Sequence, residues 1–272
     1  MLSKRLVPTA VVCVLLATGA TACSSGTTGA SAAPPATPSA APSASPVQTL
    51  AVDTLSAKEI SGQAHAAMKT VTAMKASGTF SSEGSVTTVD LAADKQGNCA
   101  GTIGHPGQGT AEVLSTGTTT WLKPDEAFWK NIGKSLGGSE KQIAVVTQLF
   151  GGRYLTGEGS DQSLTEAAFM CGMVKAITGD DGTDEVTSEK GTAGTTGGVK
   201  TFSIVVADAE GTKTTLHIAT EGKPYLVAME QKEGDSPAEL TFSDFDKPVT
   251  VQQPPADQVI DLAAFTQQLK KG

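Results

Sequence analysis

The sequence predicts an α+β domain in which helices cover one apolar face of an antiparallel sheet. Three observations predict it. Short runs rich in Thr and Val are punctuated by Gly84, Gly97, Gly104, Gly107 and Gly117, a spacing that suits hairpins and not parallel crossovers. Toward the C-terminus, apolar residues alternate with polar ones along four further runs. Between and before these runs, capping signatures open stretches of helical periodicity.

The chain begins with Lys4 and Arg5, then an apolar run over 6–20 broken by Pro8 and Thr9, then Ala20-Thr21-Ala22-Cys23. This is the order of a secretory signal peptide. The run is too short to span a bilayer, which takes about 20 residues. Cysteine directly after small residues resembles a bacterial lipobox, which implies cleavage before Cys23, a diacylglyceryl group on its sulfur and a place on the outer face of the cell membrane. The alternative is an ordinary signal peptide with an incidental cysteine. Ala20 favours that alternative, because lipoboxes usually carry Leu there. Residues 24–48 are almost wholly Ala, Pro, Ser, Thr and Gly, with no charge. Such a stretch buries too little apolar surface to offset its ordering entropy and reads as an extended tether. The expected division is thus a leader over 1–22, a lipidated Cys23 with its tether to 48, and a domain over 49–272.

The whole chain carries 20 basic and 28 acidic residues; losing Lys4 and Arg5 with the leader leaves 18 − 28 = −10. That charge excludes nucleic acid as a natural partner. Of four cysteines, Cys13 leaves with the leader and Cys23 takes the lipid. Cys99 and Cys171 remain, and in an oxidising compartment two cysteines read as one disulfide. A redox pair is the alternative, but C-x-x-C spacing is absent.

In the domain, Ser56 and Glu59 form a capping box, with Leu55 and Ile60 placed for a hydrophobic staple. Ile60, Ala64, Ala67, Val71 and Met74 fall on one helical stripe, and Gly78 marks the exit. Strands are expected at 76–82, 86–93, 99–103, 110–115 and 118–122, with a turn over 94–98. A short helix is expected over 124–129, a second from Ser139 to 149, and a third from a Ser163–Glu166 capping box to 177. The third helix carries Cys171, so the bridge would pin it to the strand of Cys99. The acidic run 180–185 lacks the alternating oxygen ligands and distal Glu of a calcium loop and reads as a solvated turn. Residues 191–198 read as a flexible loop. Strands follow at 199–207, 212–220, 224–231 and 238–245. In them Phe202, Ile204 and Val206 alternate, as do Leu216 with Ile218, Tyr225 with Val227 and Met229, and Leu240 with Phe242. A Pro-rich segment then leads to an amphipathic tail over 259–269.

No catalytic constellation emerges. His65, His105 and His217 stand in separate elements, and no P-loop, H-E-x-x-H or G-x-S-x-G is present. The chain is therefore not read as an enzyme, and no cofactor or metal is expected.

Three stretches carry a resemblance: Met74-Lys75-Ala76-Ser77-Gly78-Thr79-Phe80; Trp121-Leu122-Lys123-Pro124 with Phe128-Trp129-Lys130; and 240–249, from Leu240 to Val249. With the order of lipobox, tether, helix, strands, helices and meander, the chain resembles actinobacterial lipoproteins of the LppX/LprA/LprF/LprG type, within the wider fold of the lipoprotein carrier LolA. The resemblance implies a strongly curved antiparallel half-barrel with helices over its concave apolar face, and a lipid or other hydrophobic ligand between the two. On that reading Ala64 and Ala67 leave room, and Met68, Met170, Met173 and Met229 line the space as adaptable side chains. Val71, Phe202, Ile204, Leu216, Ile218 and Val227 complete the candidate lining. The alternative is that the same residues pack a solid core, giving a ligand-free interaction or envelope-sensing module. The expected partners are a hydrophobic small molecule and, through Cys23, the membrane; no protein partner is named, and a monomer is expected.

Overall fold

In the computed structural model, the described residues are 49–82, 84–135, 137–157, 162–179, 187–234 and 236–263. All belong to one unit, Pro46–Gly272. The leader, Cys23, the tether, the acidic run 180–185 and the tail beyond 263 lie outside them.

Helix α1 spans Ala57–Lys69 and starts as its sequence dictates. Ser56 Oγ accepts from the Glu59 N–H at 3.3 Å, and the Glu59 carboxylate accepts from the Ser56 N–H at 2.8 Å. Its buried stripe is Ala57, Ile60, Ala64 and Met68. The helix ends eight residues before the expected exit, at Thr70, whose hydroxyl and N–H both donate to the Ala67 carbonyl. A β-branched trio, Thr70-Val71-Thr72, disfavours a further turn. Val71 and Met74 therefore leave the helical stripe, and Met74 starts the inward alternation of strand β1, Ala73–Ser82.

The strands β2 (Ser85–Asp94), β3 (Asn98–His105), β4 (Gly109–Thr116) and β5 (Thr120–Pro124) follow as hairpins. Helix α2 (Glu126–Ser135) is capped by Asp125, whose carboxylate accepts from the Phe128 N–H at 2.7 Å. Helix α3 (Glu140–Phe150) carries the expected capping box of Ser139 and Gln142. A strand absent from the sequence reading, β6 (Tyr154–Thr156), then pairs with β5. Helix α4 (Gln162–Cys171) is already helical at Gln162, so Ser163 lies inside its first turn and is not its cap. Gly172 separates it from α5 (Met173–Ile177).

The expected loop over 191–198 is mostly strand. β7 (Thr187–Thr196) pairs with β8 (Val199–Ala207) across Gly197-Gly198, both with positive φ (56° and 83°), as a two-residue I′ hairpin requires. Glycine density suggested a loop because Gly191 sits at a bulge, where a Cβ would come 2.3 Å from Ser203 Oγ. β9 (Lys213–Ala219), β10 (Leu226–Gln231) and β11 (Ala238–Ser243) complete the meander. The start of the expected tail forms β12 (Val259–Asp261), parallel to β6.

All twelve strands form one open sheet in the order β12-β6-β5-β4-β3-β2-β1-β11-β10-β9-β8-β7. It is a curved antiparallel sheet, not a closed barrel, and with its helices it makes the expected α+β half-barrel. One ladder row shows how the sequence builds its inner face. Ile204, Leu216, Met229, Leu240, Gly78, Val89, Ile103, Ala111 and Pro124 are cross-strand partners in turn. Two glycines on this face lie where strands press together. A Cβ at Gly78 would sit 2.0 Å from the Glu239 carbonyl oxygen, and one at Gly101 2.1 Å from that of Asp90. Their φ values of 144° and 153° are ones that side-chain-bearing residues avoid. Such glycines let a sheet coil sharply.

Candidate functional site

Two helical caps divide the inner face. Helix α1 packs on β7, β8 and β10, and its Ile60 and Ala64 join Ile204, Ile218 and Leu50 in one buried cluster. Helices α4 and α5 lie over β2 to β5, where Leu164, Ala167, Cys171 and Val174 join Val89, Leu91, Val113 and Leu122 in a second. The Cys99–Cys171 disulfide fastens the second cap, with Cα atoms 5.4 Å apart across 72 positions of chain. The expected pinning of helix to strand is therefore present.

In the sheet order, β1 and β11 lie between the strands under the two caps. On β1 and β11 themselves the inward Met74, Ala76, Leu240 and Phe242 are buried in the second cluster; the inward apolar residues that stay partly buried are Phe80 on β1, Leu226 and Met229 on β10, and Leu216 on β9. On the helices, Met170, Met173 and Ile177 are also partly buried, packed against the second cluster. This strip is the candidate site. Gly78, central in the ladder row, adds no side chain to it.

The twelve nominated lining residues divide between the two clusters. Met68 and Val71 belong to the α4–α5 cluster, with Met170, Met173 and Met229 packed at its margin. Ala64, Ile204 and Ile218 belong to the α1 cluster, with Phe202 and Leu216 at its margin. Ala67 is half-buried on α1. Val227 is buried but joins neither cluster. A register shift between Leu226 and Ala228 sets Leu226 opposite Ile218, breaking the alternation expected from Tyr225 through Val227 to Met229. Leu226 and Phe80 were not nominated. Phe80 was legible, since Met74, Ala76, Gly78 and Phe80 alternate. The bulge leaves no signature in the residues.

Under the α4 cap the inner face is filled. A cavity of about 30 Å³ between Ile103, Ala111, Leu122 and Phe128 has room for a water or two, not for an acyl chain. Larger hollows open outward. One of about 530 Å³ lies between α2 and α3, beside Lys130, Ile143 and Thr147. One of about 510 Å³ lies by Glu112, Lys123 and Gly152. One of about 750 Å³ lies by Thr119, Thr156 and Ala168. None of the twelve nominated residues lines these four spaces.

Two polar groupings tie neighbouring elements together. Asp246, in the left-handed region at φ 59°, accepts from the Thr72 N–H at 2.8 Å and hydroxyl at 3.0 Å. It also accepts from the Tyr225 hydroxyl at 3.1 Å. The Thr72 backbone bond, above all, holds its carboxyl below the usual carboxylate range. This latch joins the α1–β1 link to the entry of β10 and the end of β11. On the outward face of β4 and β5, Lys123 pairs with Glu112 and lies 4.5 Å over the Tyr154 ring, and the Glu112 bond raises its pKa. His65, His105 and His217 lie on α1, β3 and β9. Among the described residues no group of three His, Cys, Asp or Glu is placed to hold a metal.

No protein-family model matches the sequence, and no curated protein matches it. Solved structures do. LprF from Mycobacterium bovis is 15% identical, with 74% of this chain and 97% of that one covered and a TM-score of 0.49. The lipoprotein LppX from Mycobacterium tuberculosis is 14% identical, with 71% and 97% covered and a TM-score of 0.43. The likeness is one of fold, and it is to structures of the group that the sequence resembles.

Proposed function

We propose that this chain is a lipoprotein, anchored through Cys23 on the outer face of the cell membrane, that binds a lipid acyl chain or similar elongated apolar molecule. It is a binding protein, not an enzyme. The supporting observation is the strip of half-buried Phe80, Leu216, Leu226 and Met229 between the helical caps. Covering such a strip gains about 25 cal/mol per Å² of apolar surface, and each methylene of a ligand adds about 0.8 kcal/mol. Phe202, Leu216, Met170, Met173 and Met229 are the nominated residues that a ligand meets first. Buried Ala64, Met68, Val71, Ile204, Ile218 and Val227, with half-buried Ala67, become lining only when α1 lifts from the sheet.

A second reading is a ligand-free interaction or envelope-sensing module. The complete burial of Ile60, Val71, Ile204 and Ile218 and the small size of the cavity beneath α4 favour it. Titration of residues 46–272 with a fluorescent fatty acid separates the two. Saturable binding, weakened tenfold or more by Met229→Asp, is expected, since a charge on the strip must be desolvated by the ligand. Met229 is partly exposed, so the variant stays folded by circular dichroism. Absence of saturable binding, or equal binding by the variant, moves the assignment to the second reading.

A further inference from the structure

The side of α4–α5 turned away from the sheet has its own chemistry. Leu164, Ala167, Cys171 and Val174 are the buried side. At 100° per residue, the exposed Thr165, Phe169 and Ala176 fall opposite them, with Gly172 and Glu166 each about 60° from that centre, while Met173 is partly buried against the core and Lys175 lies nearer the buried side. A helix packed on a soluble domain ordinarily turns charged and polar residues outward. Here the centre of the outward side is Phe169, 74% exposed and the most exposed large apolar side chain among the described residues.

We infer that this side of α4–α5 docks on the surface of the bilayer to which Cys23 is fixed, with Phe169 entering the interfacial layer. The reading of Cys23 as a lipid anchor underlies the inference. A single phenylalanine holds a free protein to a membrane only weakly. The chain between Cys23 and Thr49 changes that arithmetic. A chain of about 25 residues spans at most roughly 85 Å, so a domain tethered by it samples the surface at an effective concentration near the millimolar range. The charge of −10 on the mature chain opposes attraction to anionic head groups. Apolar insertion is the contact open to it, and a helix side centred on one exposed aromatic residue suits that contact.

The test uses the mature chain from residue 23 with Cys23→Ser, which cannot be acylated, and vesicles of phosphatidylcholine. Weak sedimentation with the vesicles, insensitive to salt, is expected. Phe169→Ser should lower the partition coefficient about tenfold, the worth of burying one such side chain. Leu149→Ser removes an apolar residue 56% exposed on α3 and should change it less than twofold. In Phe169→Trp, new emission should shift to the blue and be quenched by brominated acyl chains, against a constant background from buried Trp121 and Trp129. Fatty-acid binding by Phe169→Ser should be unchanged, which separates failure here from failure of the ligand assignment. The inference is overturned by no sedimentation of the parent chain, by equal partition of Phe169→Ser, by loss with Leu149→Ser instead, or by new emission in Phe169→Trp that brominated chains leave unquenched. It is equally overturned if Phe169→Ser dissolves a dimer or a complex with another protein and leaves vesicle binding intact.

Discussion

Asp246 is an exposed residue on which three parts of the fold converge. One carboxylate holds the link into β1, the entry to β10 and the end of β11, where Tyr225 and Phe245 stack at 4.4 Å. Its charge matters because it accepts three hydrogen bonds, and its folded pKa lies below the unfolded carboxyl value of about 3.9. Such a group stabilises fully above the unfolded value, and its contribution is lost as pH falls below it through the folded one. Asp246→Asn keeps the shape and tolerates the left-handed backbone, so it isolates the charge. With the side chain 38% exposed to water, the loss at pH 7 is expected to be about 1 kcal/mol. Denaturant titrations should show parent and variant converging as pH falls below about 4. A difference that stays constant over that range would show that charge is not the cause.

At the scale of elements, the second cap depends on the bridge between β3 and α4. In the chain-entropy account, joining residues 72 apart stabilises by about 4 kcal/mol. The double variant Cys99→Ser, Cys171→Ser should lose most of that and bind an apolar dye more strongly, as α4–α5 loosens from Leu91, Val113 and Leu122. A loss under about 1 kcal/mol with unchanged dye binding would mean that packing alone holds the cap.

Elements were legible where their signal was local. Both capping boxes that open α1 and α3 rest on side chains three residues apart, and the sequence names them. Hairpins from β1 to β5 announce themselves through Gly97, Gly107 and Gly117, all with positive φ. Elements defined by distant partners were not legible. β6 and β12 have three residues each; β12 exists because it pairs with β6, and β6 because it pairs with β12 and β5. β7 is rich in glycine and threonine, and its strand character comes from β8. Helix α1 stops early because Thr70 bonds backward and Thr72 is held by Asp246, far along the chain. The candidate strip was half legible for the same reason. Alternation identified Phe202, Leu216 and Met229 as inward, but which of them α1 covers is a fact of packing.

At the scale of the molecule, curvature, charge and anchorage belong to one account. The sheet coils where Gly78 and Gly101 allow strands to close on one another. Part of the inner face, at Phe80, Leu216, Leu226 and Met229, is only partly covered by the two caps, and it is apolar. On the proposed reading, that strip holds a molecule that water rejects.

Native mass spectrometry of residues 46–272, secreted by a bacterium that makes its own envelope lipids, tests that claim most directly. The account predicts a species heavier than the polypeptide, two hydrogens light for the Cys99–Cys171 bridge. Its extra mass should leave on denaturation, extract into organic solvent and be absent from Met229→Asp. A bare polypeptide mass from the parent chain, unchanged after incubation with lipid, would contradict it.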